Sequence, residues 1–314
     1  MSLRTIEALI EAGFATDDHR AELETVAASY AVAVTPAMAA LIGRAPESDP
    51  IARQFVPSAA ELTVSDDERY DPIGDDAFAP VKGIVHRYPD RALLKPTHTC
   101  PVYCRFCFRR EMVGPDGAGN LSGDELARAL AYIRNTPSIW EVIVTGGDPF
   151  VLSPRRLGEI VAALDAIDHV RVIRFHTRVP VVDPDRIDPA LIRALSARTS
   201  VYVALHANHP RELTAAARAA CARLIDAGIA MVSQTVLLRG VRGGPGRLDR
   251  LAALLRCIPL ADQAAKIPLI NFCCCWACGD VGKASVLSII SSRPVSYASA
   301  GVRPSRAECG RVAL

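Results

Sequence analysis

The chain is 314 residues long, half of them hydrophobic, with 36 basic and 34 acidic side chains and a net charge of +2. That composition supports a packed core and excludes global disorder, and the near-balance of charge gives no whole-protein footprint for nucleic acid. Ten cysteines, three within eight residues and four more within six, do not follow the pattern of a small secreted disulfide scaffold.

Met1 to Gly13 reads as an amphipathic helix carrying Glu7 and Glu11, and lacks the basic-then-apolar order of a signal peptide. Helical periodicity returns over Ala21–Tyr30. The most apolar early run, 27–43, is interrupted by Thr35 and Pro36 and is short for a membrane span. The expectation is a cytoplasmic protein with no membrane or nucleic-acid partner, with a homo-oligomer left open. Residues 46–80, rich in Asp, Pro and Ala, read as a connector. From residue 90 an alternation begins. The β-like runs are Ala92–Leu94, Val142–Thr145, Val170–Phe175, Val201–Leu205 and Met231–Leu238. Between them lie the helical patterns Gly123–Asn135, Pro154–Ile167, Pro189–Ala197 and Arg211–Ala227, the last carrying Cys221 as a small buried hydrophobe. Strands recurring about every thirty residues are the mark of β-α units with parallel strands.

Polar residues follow each strand: Thr145-Gly146-Gly147-Asp148-Pro149, then His176-Thr177-Arg178, then His206-Ala207-Asn208-His209-Pro210, with Gln234 in an otherwise apolar run. Polar groups gathered at the carboxyl ends of parallel strands mark the active face of an α/β barrel. Just after the first strand comes Cys100-Pro-Val-Tyr-Cys104-Arg-Phe-Cys107. Three thiolates this close can meet one metal centre. A cubane has four irons, so three thiolates leave one iron open to a chelating ligand, and this is the favoured reading. A zinc ion would want a fourth ligand, which His98 could supply, and Cys104 and Cys107 alone have the spacing of a redox pair.

The Cys-x3-Cys-x2-Cys signature resembles that of radical S-adenosylmethionine enzymes. The surroundings narrow the resemblance to the lysine 2,3-aminomutase family. They comprise His86-Arg87-Tyr88-Pro89-Asp90-Arg91, Cys104-Arg-Phe-Cys107-Phe-Arg109-Arg110, Gly146-Gly147-Asp148-Pro149, His176-Thr177-Arg178, His206-x-Asn208-His209-Pro210 and Gln234-Thr-Val-Leu-Leu-Arg239-Gly240-Val241. The resemblance covers about residues 1 to 241.

It implies an α/β fold: a partial (β/α) barrel of the radical S-adenosylmethionine type behind an N-terminal helical segment, incomplete at its C-terminal end. The corresponding division is 1–80 helical segment and connector, 81–272 barrel, 273–314 irregular tail. The implied chemistry is an isomerisation. A [4Fe–4S] cluster reductively cleaves S-adenosylmethionine, and the resulting radical drives migration of an amino group from C2 to C3 of L-lysine held on pyridoxal phosphate. An electron donor such as flavodoxin or ferredoxin is implied as partner. Carried over by position, Cys100, Cys104 and Cys107 would ligate the cluster. Gly146, Gly147, Asp148, His206 and Gln234 would contact S-adenosylmethionine. Arg87 and Arg91 would hold the pyridoxal phosphate group and Tyr88 its ring, and Arg109 would clamp the substrate carboxylate, arginine being a bidentate, permanently charged fork.

The resemblance decays after Val241. Lys266, in Lys-Ile-Pro-Leu, and Lys283 are the candidates for the Schiff-base lysine, although the Lys266 segment suits a sixth strand better. Cys273, Cys274, Cys275 and Cys278 have no counterpart in the family pattern, and a frameshift or truncation would give such a tail. Three functions stay open: free-lysine aminomutase; the same chemistry on a lysine destined for elongation factor P or on another amino acid; and a catalytically impaired homologue.

Overall fold

The structure is a computed structural model. It describes residues 1–64, 68–114, 119–236, 238 and 241, and the backbone of two further strands, 269–274 and 286–288. The N-terminal segment contributes helices α1 (Ile6–Glu11), α2 (Arg20–Ser29), α3 (Pro36–Ala39) and α4 (Ala52–Phe55). Thr5 and Thr35 cap α1 and α3 through their hydroxyls, at 3.2 and 3.4 Å. Leu9, Met38 and Phe55 from these helices, and Ile51 at the start of α4, are fully buried in the same core as the barrel. The segment is therefore packed onto the barrel as part of one core.

Eight strands form one sheet in chain order: β1 (Ile84–Tyr88), β2 (Arg91–Thr97), β3 (Glu141–Gly146), β4 (Val172–Thr177), β5 (Ser200–His206), β6 (Ala230–Val236), β7 (Leu269–Cys274) and β8 (Val286–Ser288). Strands β2 to β7 are parallel; β1 and β8 pair antiparallel at the two edges. Helices α5 (Gly123–Arg134), α6 (Pro154–Asp165), α7 (Val179–Val182), α8 (Pro189–Ala194) and α9 (Ala215–Asp226) lie between successive parallel strands. This is the partial (β/α) barrel expected, with six parallel strands.

Each long helix starts on a cap. Ser122 and Glu125 form a reciprocal capping box on α5, Ser153 precedes Pro154 at the start of α6, and Thr214 caps α9. The strands divide their side chains by alternation. Leu94, Val144, Phe175, Val203 and Met231 lie in register across β2–β6 and belong to the core under the helices. The opposite, inner face carries Lys95 on β2, Thr145 on β3, Arg174 and His176 on β4, His206 on β5 and Gln234 on β6. An interior with so much charge and imidazole is a place for ligands rather than a second apolar core.

Two sequence expectations are adjusted here. β1 lies in a stretch where only a motif was recognised. Cys273 and Cys274 end β7 and Val286–Ser288 forms β8, so regular backbone reaches into 273–314. Lys266, Lys283, Cys275 and Cys278, and the side chains of Cys273 and Cys274, lie outside the described residues. Among the described residues, no helix is long and apolar enough to cross a membrane.

Candidate functional site

The cysteine loop leaves the carboxyl end of β2 and is pinned from both sides. Its backbone donates from Tyr103 to the Ala33 carbonyl (3.2 Å) and from Arg105 to the Gln54 carbonyl (2.8 Å), both in the N-terminal segment. The Arg105 guanidinium clasps Glu61 at 3.0 and 2.6 Å and donates to the Ala31 carbonyl at 2.9 Å. Cys100, Cys104 and Cys107 are free thiols, half-buried, and all three line one cavity with Tyr30, Val102 and Val113.

Burial pushes every one of these thiols up: Cys100 far up, Cys107 to about 11, and Cys104 less strongly because Arg178 opposes the effect. A metal centre reverses this by displacing the thiol proton. Among the described residues, no three His, Cys, Asp or Glu side chains converge tightly enough for a single ion. One zinc needs its sulfurs about 2.3 Å from a common point. A cubane places each ligand on a different iron and accepts a wider triangle. His98, the spare zinc ligand, is turned to the Gly119 carbonyl at 3.3 Å. The donor set fits a cluster.

The Gly146-Gly147-Asp148 turn lies beside this loop. Gly146 has φ +104°. A Cβ on Gly147 would stand 2.3 Å from the Thr99 carbonyl oxygen and 2.6 Å from the Thr99 nitrogen. The close approach that these glycines permit is to the chain leading into Cys100. Asp148 is buried, and its carboxylate accepts from Thr177 Oγ1 (2.7 Å), Phe150 N (3.0 Å) and Arg178 N (2.7 Å). Across the barrel, His206 and Gln234 are register neighbours on β5 and β6. His206 Nε2 and Gln234 Oε1 are buried with no hydrogen-bond partner among the described residues. Burial holds the His206 imidazole down at about 4. A donor or acceptor left unmet in such a place is costly unless a ligand meets it, so the inner face fits a polar ligand such as S-adenosylmethionine.

Arg109 is buried and pairs with Asp75 at 2.9 Å, while Phe108 stacks beneath it with its centroid 4.4 Å away. Asp75 also faces Arg87 at 3.5 Å, and Arg87 donates to the Ile73 carbonyl. Arg91 lies at the amino end of β2. It binds Asp90 at 2.9 and 2.7 Å and faces Glu141 at 3.4 Å. Tyr88 is 46% exposed. Both arginines expected to hold pyridoxal phosphate are thus committed to carboxylates. Arg109 is paired with the same Asp75, so such a pairing does not by itself bar a ligand.

Three groups escaped the sequence reading. Lys95 is buried on the inner face; its amine makes no hydrogen bond or ion pair with a described residue and is pushed down by burial and by Arg109. Gln54 and Glu212, both fully buried, form a frame around Arg178. No spacing rule flags a lone lysine in a strand. Gln54 and Glu212 lie 158 positions apart, so only the fold brings them together.

Residues 94–243 match the model of the radical SAM superfamily. With its cysteine loop at the mouth of a six-stranded parallel barrel, the chain belongs to that superfamily. The chain is 40% identical over 213 residues to L-lysine 2,3-aminomutase of Clostridium subterminale, a match covering 68% of this chain and 51% of that protein. It is 38% identical over 236 residues to L-lysine 2,3-aminomutase of Methanococcus maripaludis, 75% of this chain and 54% of that protein. Against glutamate 2,3-aminomutase of Clostridioides difficile the identity is 34% over 226 residues, 72% of this chain and 53% of that protein. Within the superfamily the chain falls in the lysine 2,3-aminomutase family. It spans about half the length of the curated relatives it matches.

Proposed function

We propose that this chain is a radical isomerase of the aminomutase type that moves an amino group from C2 to C3 of an amino acid, L-lysine in the first instance. The observation that carries the reading is three free thiols around one cavity at the barrel mouth, next to unmet polar groups on the inner face. Cys100, Cys104 and Cys107 would hold the cluster. His206 and Gln234, with the Gly146–Asp148 turn, would orient S-adenosylmethionine. Bound there, cluster and S-adenosylmethionine supply one-electron cleavage of a carbon–sulfur bond. The chain's own task is to position these groups and exclude water. Val102, Tyr103 and Val113 give the cysteine loop an apolar lining. Arg109 would trade Asp75 for the substrate carboxylate. Pyridoxal phosphate enters this proposal from the relatives alone, and a flavodoxin- or ferredoxin-type protein would supply the electron.

One observation favours a second reading, an acidic amino acid such as glutamate. The Lys95 amine adds a second buried cation within electrostatic reach of Arg109. The test is anaerobic reconstitution, reduction with dithionite, and incubation with S-adenosylmethionine, pyridoxal phosphate and either L-lysine or L-glutamate. β-Lysine together with 5′-deoxyadenosine supports the first reading, and β-glutamate the second. Absence of both β-amino acids and of 5′-deoxyadenosine would overturn the proposal.

A further inference from the structure

Arg178 follows the end of β4, yet it reaches the cysteine loop. Its Nη1 donates to Cys104 Sγ at 3.0 Å. Its Nη2 donates to Gln54 Oε1 and to Glu212 Oε2, both at 2.6 Å. Gln54 Nε2 donates back to Glu212 Oε1 at 3.1 Å, and Asn208 Nδ2 to Gln54 Oε1 at 2.9 Å. The backbone nitrogens of Asn208 and His209 also donate to Glu212 Oε1, at 3.0 and 2.8 Å. All four residues are at least 95% buried. The rings of Phe55 and Phe106 flank the guanidinium at 4.8 and 5.7 Å. Phe106 stands in the loop between Cys104 and Cys107.

A buried ion pair of this kind is poor value as a fastener. Taking both charges out of water costs several kcal/mol per ion, and an apolar set of the same volume is often as stable. What an apolar set cannot do is place a fixed positive charge and an N–H donor on one chosen sulfur. Hydrogen bonds to ligand sulfurs and nearby charge set the potential of an iron–sulfur cluster. Reduction adds one electron from an external donor and breaks no bond, so a cation next to a ligand sulfur stabilises the reduced cluster. An uncompensated anion at the same depth does the reverse.

We propose that Arg178 is a positioning residue that orients Cys104 and raises the reduction potential of the cluster, while Glu212, held by Gln54 and Asn208, fixes the guanidinium and offsets part of its charge. The inference rests on Cys104 being a cluster ligand.

The test is an EPR-monitored redox titration of the full chain, anaerobically reconstituted, with dithionite and mediators and without S-adenosylmethionine. In Arg178→Met the ratio of reduced to oxidised cluster at the wild-type midpoint should fall at least tenfold, equivalent to about 59 mV for a one-electron couple. In Glu212→Gln, which keeps the donor on Cys104 and removes the compensating anion, the same ratio should rise several-fold. Arg178→Lys should stay within about threefold of wild type. Opposite shifts from two partners of one network are not what simple loosening produces. An unmoved or falling ratio in Glu212→Gln, or loss of iron from it, would overturn the inference even where Arg178→Met fails to fold. A wild-type chain without iron overturns the cluster reading itself, and with it this inference; an iron-loaded set with unmoved ratios overturns the inference alone.

Discussion

His206 shows how one side chain can be legible in type and not in state. Its place after a strand marks it as a site residue, but only the fold shows a ring buried deeply enough to hold its pKa near 4. In the unfolded chain it titrates near 6.5. The unfolded state therefore binds more protons between these values, and stability rises with pH across that window. The effect is complete above pH 6.5 and is lost as pH falls towards 4, amounting to about 3 kcal/mol over the full window. Urea unfolding of the metal-free protein at pH 7 and pH 4.5 should show a loss in wild type that is smaller in His206→Gln by most of this amount, the remainder coming from other buried imidazoles such as His176, which burial also pushes down. Equal losses in the two proteins would refute the assignment. The cysteine triad was fully legible because chemistry and spacing coincide within eight residues. Asp148 was legible as important, but three donors within the chain already meet its carboxylate. Arg87 and Arg91 stood out by motif; Arg91 pairs with its neighbour Asp90 inside that motif, but the further carboxylates Asp75, facing Arg87, and Glu141, facing Arg91, lie 12 and 50 residues away, beyond any local pattern.

Among the elements, the parallel strands and the helices between them were readable because hydrophobic period and turn chemistry agree. Boundaries moved by a few residues. The pattern Arg211–Ala227 resolved into a short turn at Pro210–Glu212 and then α9, because Thr214 makes a better start. β1 is not legible in the pattern because His86-Arg87-Tyr88 looks polar, although register pins it to β2. The turn after β3 is the most constrained junction. Gly147→Ala would drive a methyl group into the Thr99 backbone, which cannot swing away as a side-chain end could. The expected cost is about 3 kcal/mol or more. Thermal melting should show a drop of many degrees together with reduced iron loading; a variant melting with wild type would show that the turn has slack.

At the scale of the molecule, the N-terminal segment is a wall of the site. Gln54 supplies one side of the frame around Arg178, Ala33 and Gln54 hold the cysteine loop by their carbonyls, and Thr35 donates to the Val182 carbonyl at 2.6 Å. Gln54→Leu leaves Glu212 and Asn208 short of partners in a dry interior. It should cost about 2–3 kcal/mol in urea unfolding, whereas a surface-like value below about 0.5 kcal/mol would show the segment to be only loosely applied. The barrel class was readable from strand spacing, but the docking of 1–64 was not, because its hydrogen bonds to the rest of the chain join residues 44 to 162 positions apart. At the centre of the proposed function, Cys100, Cys104 and Cys107 hold one cluster that cleaves S-adenosylmethionine. The most direct measurement is iron content with 5′-deoxyadenosine formation after anaerobic reconstitution and dithionite reduction. The expected result is about four irons per chain and steady 5′-deoxyadenosine release in wild type, with both lost in Cys104→Ala. Stoichiometric zinc without iron, or iron binding that survives Cys104→Ala unchanged, would contradict it.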